Sequence, residues 1–242
     1  MRSFAASFLL AGIWVAPALA QGDPHQQHNH QQHQHHQAAP AAAPESQVQG
    51  SHASHASHGH TVGPAGASYD LRWLDAMVQH HTGALRMSEF VFNIGSPGVG
   101  ALATSIWREQ AREIKAMGQW RKAWYPEAPV YPLAIKVGGD PNAMAGLERM
   151  SAAQIQAMQM MGSTPTKENR VVWFLEGVIA HHGGALEMAH DALKKSSHRT
   201  VRRLAREIIV AQRAEIIELR RMLRLEGLSK PEYSKFDALF RF

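Results

Sequence analysis

The sequence predicts an all-α protein whose folded part is a single four-helix bundle. Three observations predict it. From residue 68 onward apolar residues recur at helical spacing, a phrase built on paired histidines is written twice, and no segment alternates as a strand would. The two copies read QHHTGALRM at 79–87 and AHHGGALEM at 180–188.

The first helix is expected from about Tyr69 to Val91, with Ser68 as N-cap and Asn93-Ile94-Gly95 as its stop. Ser96-Pro97 offers a cap and a first-turn proline for a second helix reaching about Trp124, which YPEAPVYP ends. About forty residues of crossover follow, holding one or two short helices started by Asp140-Pro141 and by a Ser151/Gln154 capping box. Thr166 precedes a third long helix to about Lys195. The stretch SSHRT, with His198 read as part of a turn, separates it from a fourth that runs to about Glu226, with Gly227 at its end. Two helical hairpins joined by one long crossover is the connectivity of ferritin-like four-helix bundles.

The flanking sequence bounds the setting. Residues 1–20 carry one early arginine, an apolar stretch too short for a bilayer and a small-x-small ending at Ala18-Leu19-Ala20. They read as a signal peptide cleaved after Ala20, and the expected location is the periplasm. No later segment has the roughly 18–20 uninterrupted apolar residues of a membrane helix, so membrane insertion is not expected. Residues 21–67 hold ten of the 16 histidines, among Gln, Ala and Pro with few aliphatic side chains. That composition predicts disorder and weak multivalent capture of Cu(II), Zn(II) or Ni(II). The expected organisation is therefore signal peptide 1–20, His-rich segment 21–67, bundle 68–228 and C-terminal tail 229–242. The net charge of +5 is spread along helical polar faces and interleaved with Glu, which fits a solvated surface rather than a nucleic-acid partner. With no cysteine in the chain, soft-metal binding has to use methionine and histidine.

On the first helix Arg72, Asp75, Gln79, Thr82, Arg86 and Glu89 fall at spacings of three and four, which reads as one outward polar stripe. The remaining arc faces the core and includes Met77 and Met87 with His80 and His81 among them. The third helix repeats the design with His181, His182 and Met188. In the second helix the inward stripe is Ile106, Gln110, Glu113, Met117 and Trp120; in the fourth it is Ile208, Gln212, Glu215, Leu219 and Met222. Each hairpin thus buries His-His on one helix and Gln-x-x-Glu on the next, and these polar groups must satisfy one another or a bound ion. Imidazole, carboxylate and thioether converging from facing helices is how bundle cores build metal sites. A hydrogen-bonded Glu–His network that fixes the bundle's register is the competing reading. Met144, Met150, Met158, Met160 and Met161 crowd the crossover, as core filler or as a thioether cluster built around Met158 and Met161. Glu187 and His190 fall on the outward face of the third helix and read as solvated surface.

The phrase His-His-x-x-Ala-x-x-Met, then Gln-x-x-Glu-Ile-x-x-Met, a Trp, a Met-bearing crossover and a second copy resembles the bacterial Domain-of-Unknown-Function 305 family over about Tyr69 to Leu225. The resemblance implies a ferritin-like bundle, a periplasmic location and, for some members, copper binding and tolerance. Its motif positions carry over as His80, His81, Ala84 and Met87, then Gln110, Glu113, Ile114 and Met117, then His181, His182, Ala185 and Met188, then Gln212, Glu215 and Ile216. Where the family has Phe-Asp before the second His-His this chain has Val171-Val172, and Leu219 replaces the last Met. Those departures predict that the two halves are not equivalent.

Three functions follow as expectations. The first is an exported copper-binding protein for sequestration or homeostasis, with copper as Cu(I) or Cu(II), zinc as a further candidate, and a copper-handling protein as its partner. The second is a ferritin-like di-metal redox enzyme, which would need more inward carboxylates than Glu113 and Glu215. The third is a metal-free structural or interaction module. The first is preferred, with no catalytic residue and no enzymatic activity assigned. N-terminal sequencing of the exported protein should begin at Gln21; retention of Met1 would contradict the signal-peptide reading.

Overall fold

The computed structural model describes residues 60–95, 98–129 and 131–241. The signal peptide, residues 21–59 of the His-rich segment, and the Ser96-Pro97 start expected for the second helix lie outside the described residues. In chain order the elements are α1 (Tyr69–Glu89), α2 (Val99–Trp124), β1 (Leu133–Ile135), β2 (Leu147–Arg149), α3 (Ala152–Gln159), α4 (Arg170–Lys195) and α5 (Arg199–Leu225). Helix α1 packs on α2, α4 packs on α5, and the two hairpins meet mainly through α1 and α4. The fold is all-α and ferritin-like: two repeated hairpins joined by one long crossover.

Local chemistry explains several helix starts. The capping box forms at α3, where Gln154 N–H donates to Ser151 Oγ (3.2 Å) and Ser151 N–H donates to Gln154 Oε1 (2.7 Å). Thr166 and Asn169 exchange backbone-to-side-chain bonds ahead of α4, which begins four residues later than Thr166. Ser68 precedes α1, yet its hydroxyl donates to Pro141 O at 2.7 Å and so ties the helix start to the crossover. His198 is more than part of a turn. Its Nδ1 accepts from Thr200 N–H as the N-cap of α5, and its ring stacks on Trp124 at 3.9 Å.

The crossover departs from expectation at two places. Asp140-Pro141 starts no α-helix, only a 3-10 turn over Met144–Gly146. A short antiparallel pair also forms, with Leu133 opposite Arg149 and Ile135 opposite Leu147, where no strand was expected. Three residues per strand are too few to leave an alternating pattern.

The outward polar stripe of α1 is corrected by the structure. Arg72, Asp75 and Gln79 are buried, Thr82 is half-buried, and only Arg86 and Glu89 are exposed. The crossover and residues 62–68 cover this face, and together with α2 they pair each group. Arg72 donates to the carbonyls of Val62 and Pro64 and to Ser68 Oγ. Asp75 accepts from Arg121 Nε (2.6 Å) and from Leu133 N–H (2.9 Å). Gln79 Nε2 donates to the Tyr131 hydroxyl (2.7 Å), and its Oε1 accepts from Gln159 Nε2 (3.3 Å). Burial raises the Asp75 carboxyl above its usual range, and the Arg121 guanidinium opposes that rise. Gly83 is what lets α3 come so close, because a Cβ there would lie 1.9 Å from Gln159 O.

Helix α1 is therefore covered along most of this face as well, with Arg86 and Glu89 near its end left exposed. Its other face ties the hairpins together: Trp73 Nε1 donates to Met188 O (2.9 Å) and the Tyr69 hydroxyl donates to Asp191 Oδ2 (2.8 Å). Fully buried Trp73, Leu74, Phe174 and Leu175 form the centre of the core, each stabilising by roughly 1.5–3 kcal/mol or more. Two stretches flanking 68–228 pack on it as well. Val62 joins the core ahead of α1, and Tyr233 and Phe236 join it after α5.

Replacing Asp75 by Ala would leave Arg121 and the Leu133 N–H without their acceptor in a buried setting. Urea unfolding should show a loss of about 3–5 kcal/mol. A loss under about 1 kcal/mol would place this pair with ordinary surface ion pairs.

Candidate metal centre

The two copies of the histidine phrase meet where α1 lies against α4. The rings of His80 and His181 are 3.8 Å apart between centroids, tilted by 47°. His81 lies 6.4 Å from His80, and His182 lies 6.0 Å from His181. All four side chains have no exposed surface. At the outer end of each pair stands a carboxylate from the neighbouring helix: Glu113 Oε2 of α2 is 2.6 Å from His81 Nε2, and Glu215 Oε2 of α5 is 2.8 Å from His182 Nε2. The first contact is a hydrogen bond; the second pairs the two groups without alignment for one. The result is a row across the bundle, Glu113, His81, His80, His181, His182, Glu215, in which each hairpin supplies half.

Polar satisfaction fails in the middle of this row. His80 has no partner for either ring nitrogen, and the Nδ1 atoms of His81, His181 and His182 have none. His181 Nε2 faces the His80 carbonyl at 2.8 Å. Gln110 has neither amide atom satisfied, and Gln212 lacks a partner for Oε1. Each such buried atom costs roughly 1–3 kcal/mol and calls for an explanation. A carboxylate on one nitrogen and a free lone pair on the other is the arrangement that ligating histidines adopt.

Electrostatics keep these lone pairs available. Burial, then repulsion from His181 and from the other nearby imidazoles, holds His80 well below the usual histidine range. Burial, then His182, does the same to His181. Both are neutral near pH 7, the form that binds a metal.

The row is not a finished cage. Among the described residues no three imidazole or carboxylate groups converge as a ready ligand set for one ion. A fuller set must draw on amide or thioether, or on movement of the rings. Met77, Met87, Met117 and Met188 are all buried as expected, but the His80 nitrogens have no partner, so none of these sulfurs is hydrogen-bonded to them. The Met87 methyl instead reaches α4 beside Gly177. The residues fit a soft or borderline ion held by imidazole, with carboxylates behind the rings.

Residues outside the expected set also approach the row. His60 lies against the row, its ring 5.8 Å from that of His80, with the Met160 sulfur beside it. Nothing in its sequence context separates it from the nine histidines before it. In the crossover, Met158 and Met150 are buried beside Leu133, Met144 is exposed, and Met161 is half-buried against the core. Glu187 and His190 are not plain solvated surface. Glu187 faces His60, and His190 Nε2 lies 2.9 Å from Leu239 O of the C-terminal segment.

The sequence model of the family described as Domain of unknown function (DUF305) matches residues 70–223. None of the curated proteins matches the chain. Among solved structures, CopM in the Cu(I)-bound form is 24% identical with a TM-score of 0.46, covering 64% of this chain and 95% of that one. A DUF305 protein from Streptomyces coelicolor is 22% identical with a TM-score of 0.48, covering 66% and 95%. A DUF305 fragment from Deinococcus radiodurans is 25% identical with a TM-score of 0.44, covering 65% and 95%.

His80 and His181 are depressed in the fold and titrate near pH 6.5 once unfolded. The stability they contribute is complete above about pH 6.5 and is lost as pH falls below it toward the folded values. The urea midpoint of the metal-free protein should therefore drop from about pH 7.5 to 5.5, at up to about 1.4 kcal/mol per pH unit per histidine. The double variant His80→Asn, His181→Asn should show a shallower slope. Equal slopes in the two proteins would mean that these rings are hydrated in the fold.

Proposed function

The chain belongs to the DUF305 family, and from that premise we propose that it is an exported, periplasmic metal-binding protein that holds copper in the core of its bundle. One observation carries the reading: paired, buried imidazoles that leave ring nitrogens without a partner at the centre of the row and face carboxylates at its two ends. Softness favours Cu(I). The chain has no thiol, and its buried donors are imidazoles with Met77, Met87, Met117 and Met188 in the same core.

Sequestration or homeostasis suits this site better than catalysis. The four rings have no exposed surface to offer a substrate. A ferritin-like di-metal enzyme builds its centre from several carboxylates, and only Glu113 and Glu215 stand at the imidazoles. Export is supported by the pattern of residues 1–20, and among the described residues no helix is long and apolar enough to cross a membrane. One observation favours a register-fixing network instead: the His81–Glu113 contact is complete without any ion.

Cu(I) titration of the mature chain against a strong competing chelator removes weak histidine sites from view and separates the two. His80→Ala with His81→Ala, and His181→Ala with His182→Ala, should each weaken Cu(I) binding. Glu113→Gln should weaken it by about 10–100-fold through the ring it orients. Parental affinity in both double variants, with lowered stability, would leave the network reading standing alone.

A further inference from the structure

His60 precedes α1, Met160 ends α3, and Glu187 lies on α4, yet the three side chains meet. His60 is only 10% exposed, with Nε2 2.6 Å from Met160 Sδ and Nδ1 3.4 Å from Glu187 Oε2. Its Nδ1 has no hydrogen-bond partner. A thioether is a weak acceptor, so the ring gains little from the sulfur as a hydrogen-bond partner. As a ligand pair for a soft cation the same two atoms suit one another.

The backbone is arranged for this contact. Met160 adopts φ 49°, a left-handed conformation that residues other than glycine rarely hold, and in doing so ends α3. Gly184 supplies the room: a Cβ there would lie 2.8 Å from His60 Nε2 and 3.0 Å from Met160 Sδ. Outward, the pair lines a pocket of about 410 Å3 with Glu187, Phe236 and Leu239. Inward, it adjoins His80, whose nitrogens have no partner.

We propose that His60 and Met160 form a rim site for Cu(I), separate from the buried row, and that the ion passes from it to His80. The destination of the ion rests on the copper reading above; the rim site itself does not. The step is ligand exchange. The nitrogen and sulfur bonds to copper at the rim break as a bond to a His80 nitrogen forms, and copper stays Cu(I). His60 keeps its proton on Nδ1, facing Glu187, while Nε2 supplies the lone pair, so no proton leaves. Metal–nitrogen and metal–sulfur bonds of about 2.0 and 2.3 Å exceed 2.6 Å in sum, so the two atoms part as the ion enters.

The test uses the full mature chain carrying 13C-methyl methionine, titrated with Cu(I) without oxygen, together with rapid mixing to time the filling of the core. The Met160 methyl resonance should shift in the later part of the titration, once the tighter core site is filled. Met160→Leu should slow filling about tenfold while leaving equilibrium affinity against a chelator nearly unchanged. In the His80→Asn, His181→Asn variant the Met160 shift should persist while tight binding is lost. A Met160 methyl that does not move at saturating Cu(I) overturns the rim site, and that readout needs no variant to fold. Parental filling rates in Met160→Leu overturn the passage to His80. Tight binding retained in the histidine variant overturns the core reading and leaves the rim site intact.

Discussion

The contact between His80 and His181 is the constraint on which the remainder depends. Two uncharged imidazoles tilted against each other at the meeting of α1 and α4 put polar nitrogens at full burial, away from bulk solvent. Everything next to them follows from that. The outer member of each histidine pair is matched by a carboxylate on the partner helix of its own hairpin, at Glu113 and at Glu215. The inner members are left neutral, because burial disfavours the charged form of each and the neighbouring imidazoles add to that. A core built this way holds no positive charge of its own at its centre and keeps nitrogen lone pairs free there, which is what the proposed metal site requires.

A second polar system lies on the opposite face of α1, and its logic is different. Arg72, Asp75 and Gln79 are buried under the crossover, and each has a complete set of partners. Here nothing is left over for a ligand. The contrast lies within one helix: the same burial yields satisfied groups on the crossover side and orphaned nitrogens on the α4 side. The satisfied system holds α1 in place with respect to β1, α3 and residues 62–64, and so fixes the helix on which His80 and His81 stand.

Much of this was legible in the sequence because it was periodic and doubled. The helices, the hairpin connectivity, the capping box at Ser151 and the pairing of His-His with Gln-x-x-Glu all leave spacing signals. What spacing cannot report is which polar face will be covered. A stripe such as Arg72, Asp75 and Gln79 looks solvent-facing until residues 62–68, α2 and the crossover supply a partner for each group. The pairing of β1 with β2 was hidden by its length, and His60 by its company, since ten histidines of one composition give no hint that the last belongs to the fold. Met160 escaped for a related reason. Helical spacing picked out Met158 and Met161, whereas it is the left-handed turn after α3, outside any helical register, that brings a sulfur to His60.

The repeat is symmetric in its ligands and asymmetric in its covering. Gly83 and Gly184 occupy the same place in the two phrases, three residues after the first histidine of each. In the first copy that gap is filled by backbone, because the end of α3 sits on Gly83 with Gln159 O closest. In the second copy the gap admits two side chains with metal-binding atoms, His60 and Met160. A backbone carbonyl packed on a helix closes a surface, whereas an imidazole and a thioether on flexible stems can part and return. The same duplicated sequence therefore yields one sealed side, which holds α1 rigid, and one side from which the buried row can be reached. That division assigns different work to the two hairpins, although their histidines and glutamates correspond position for position.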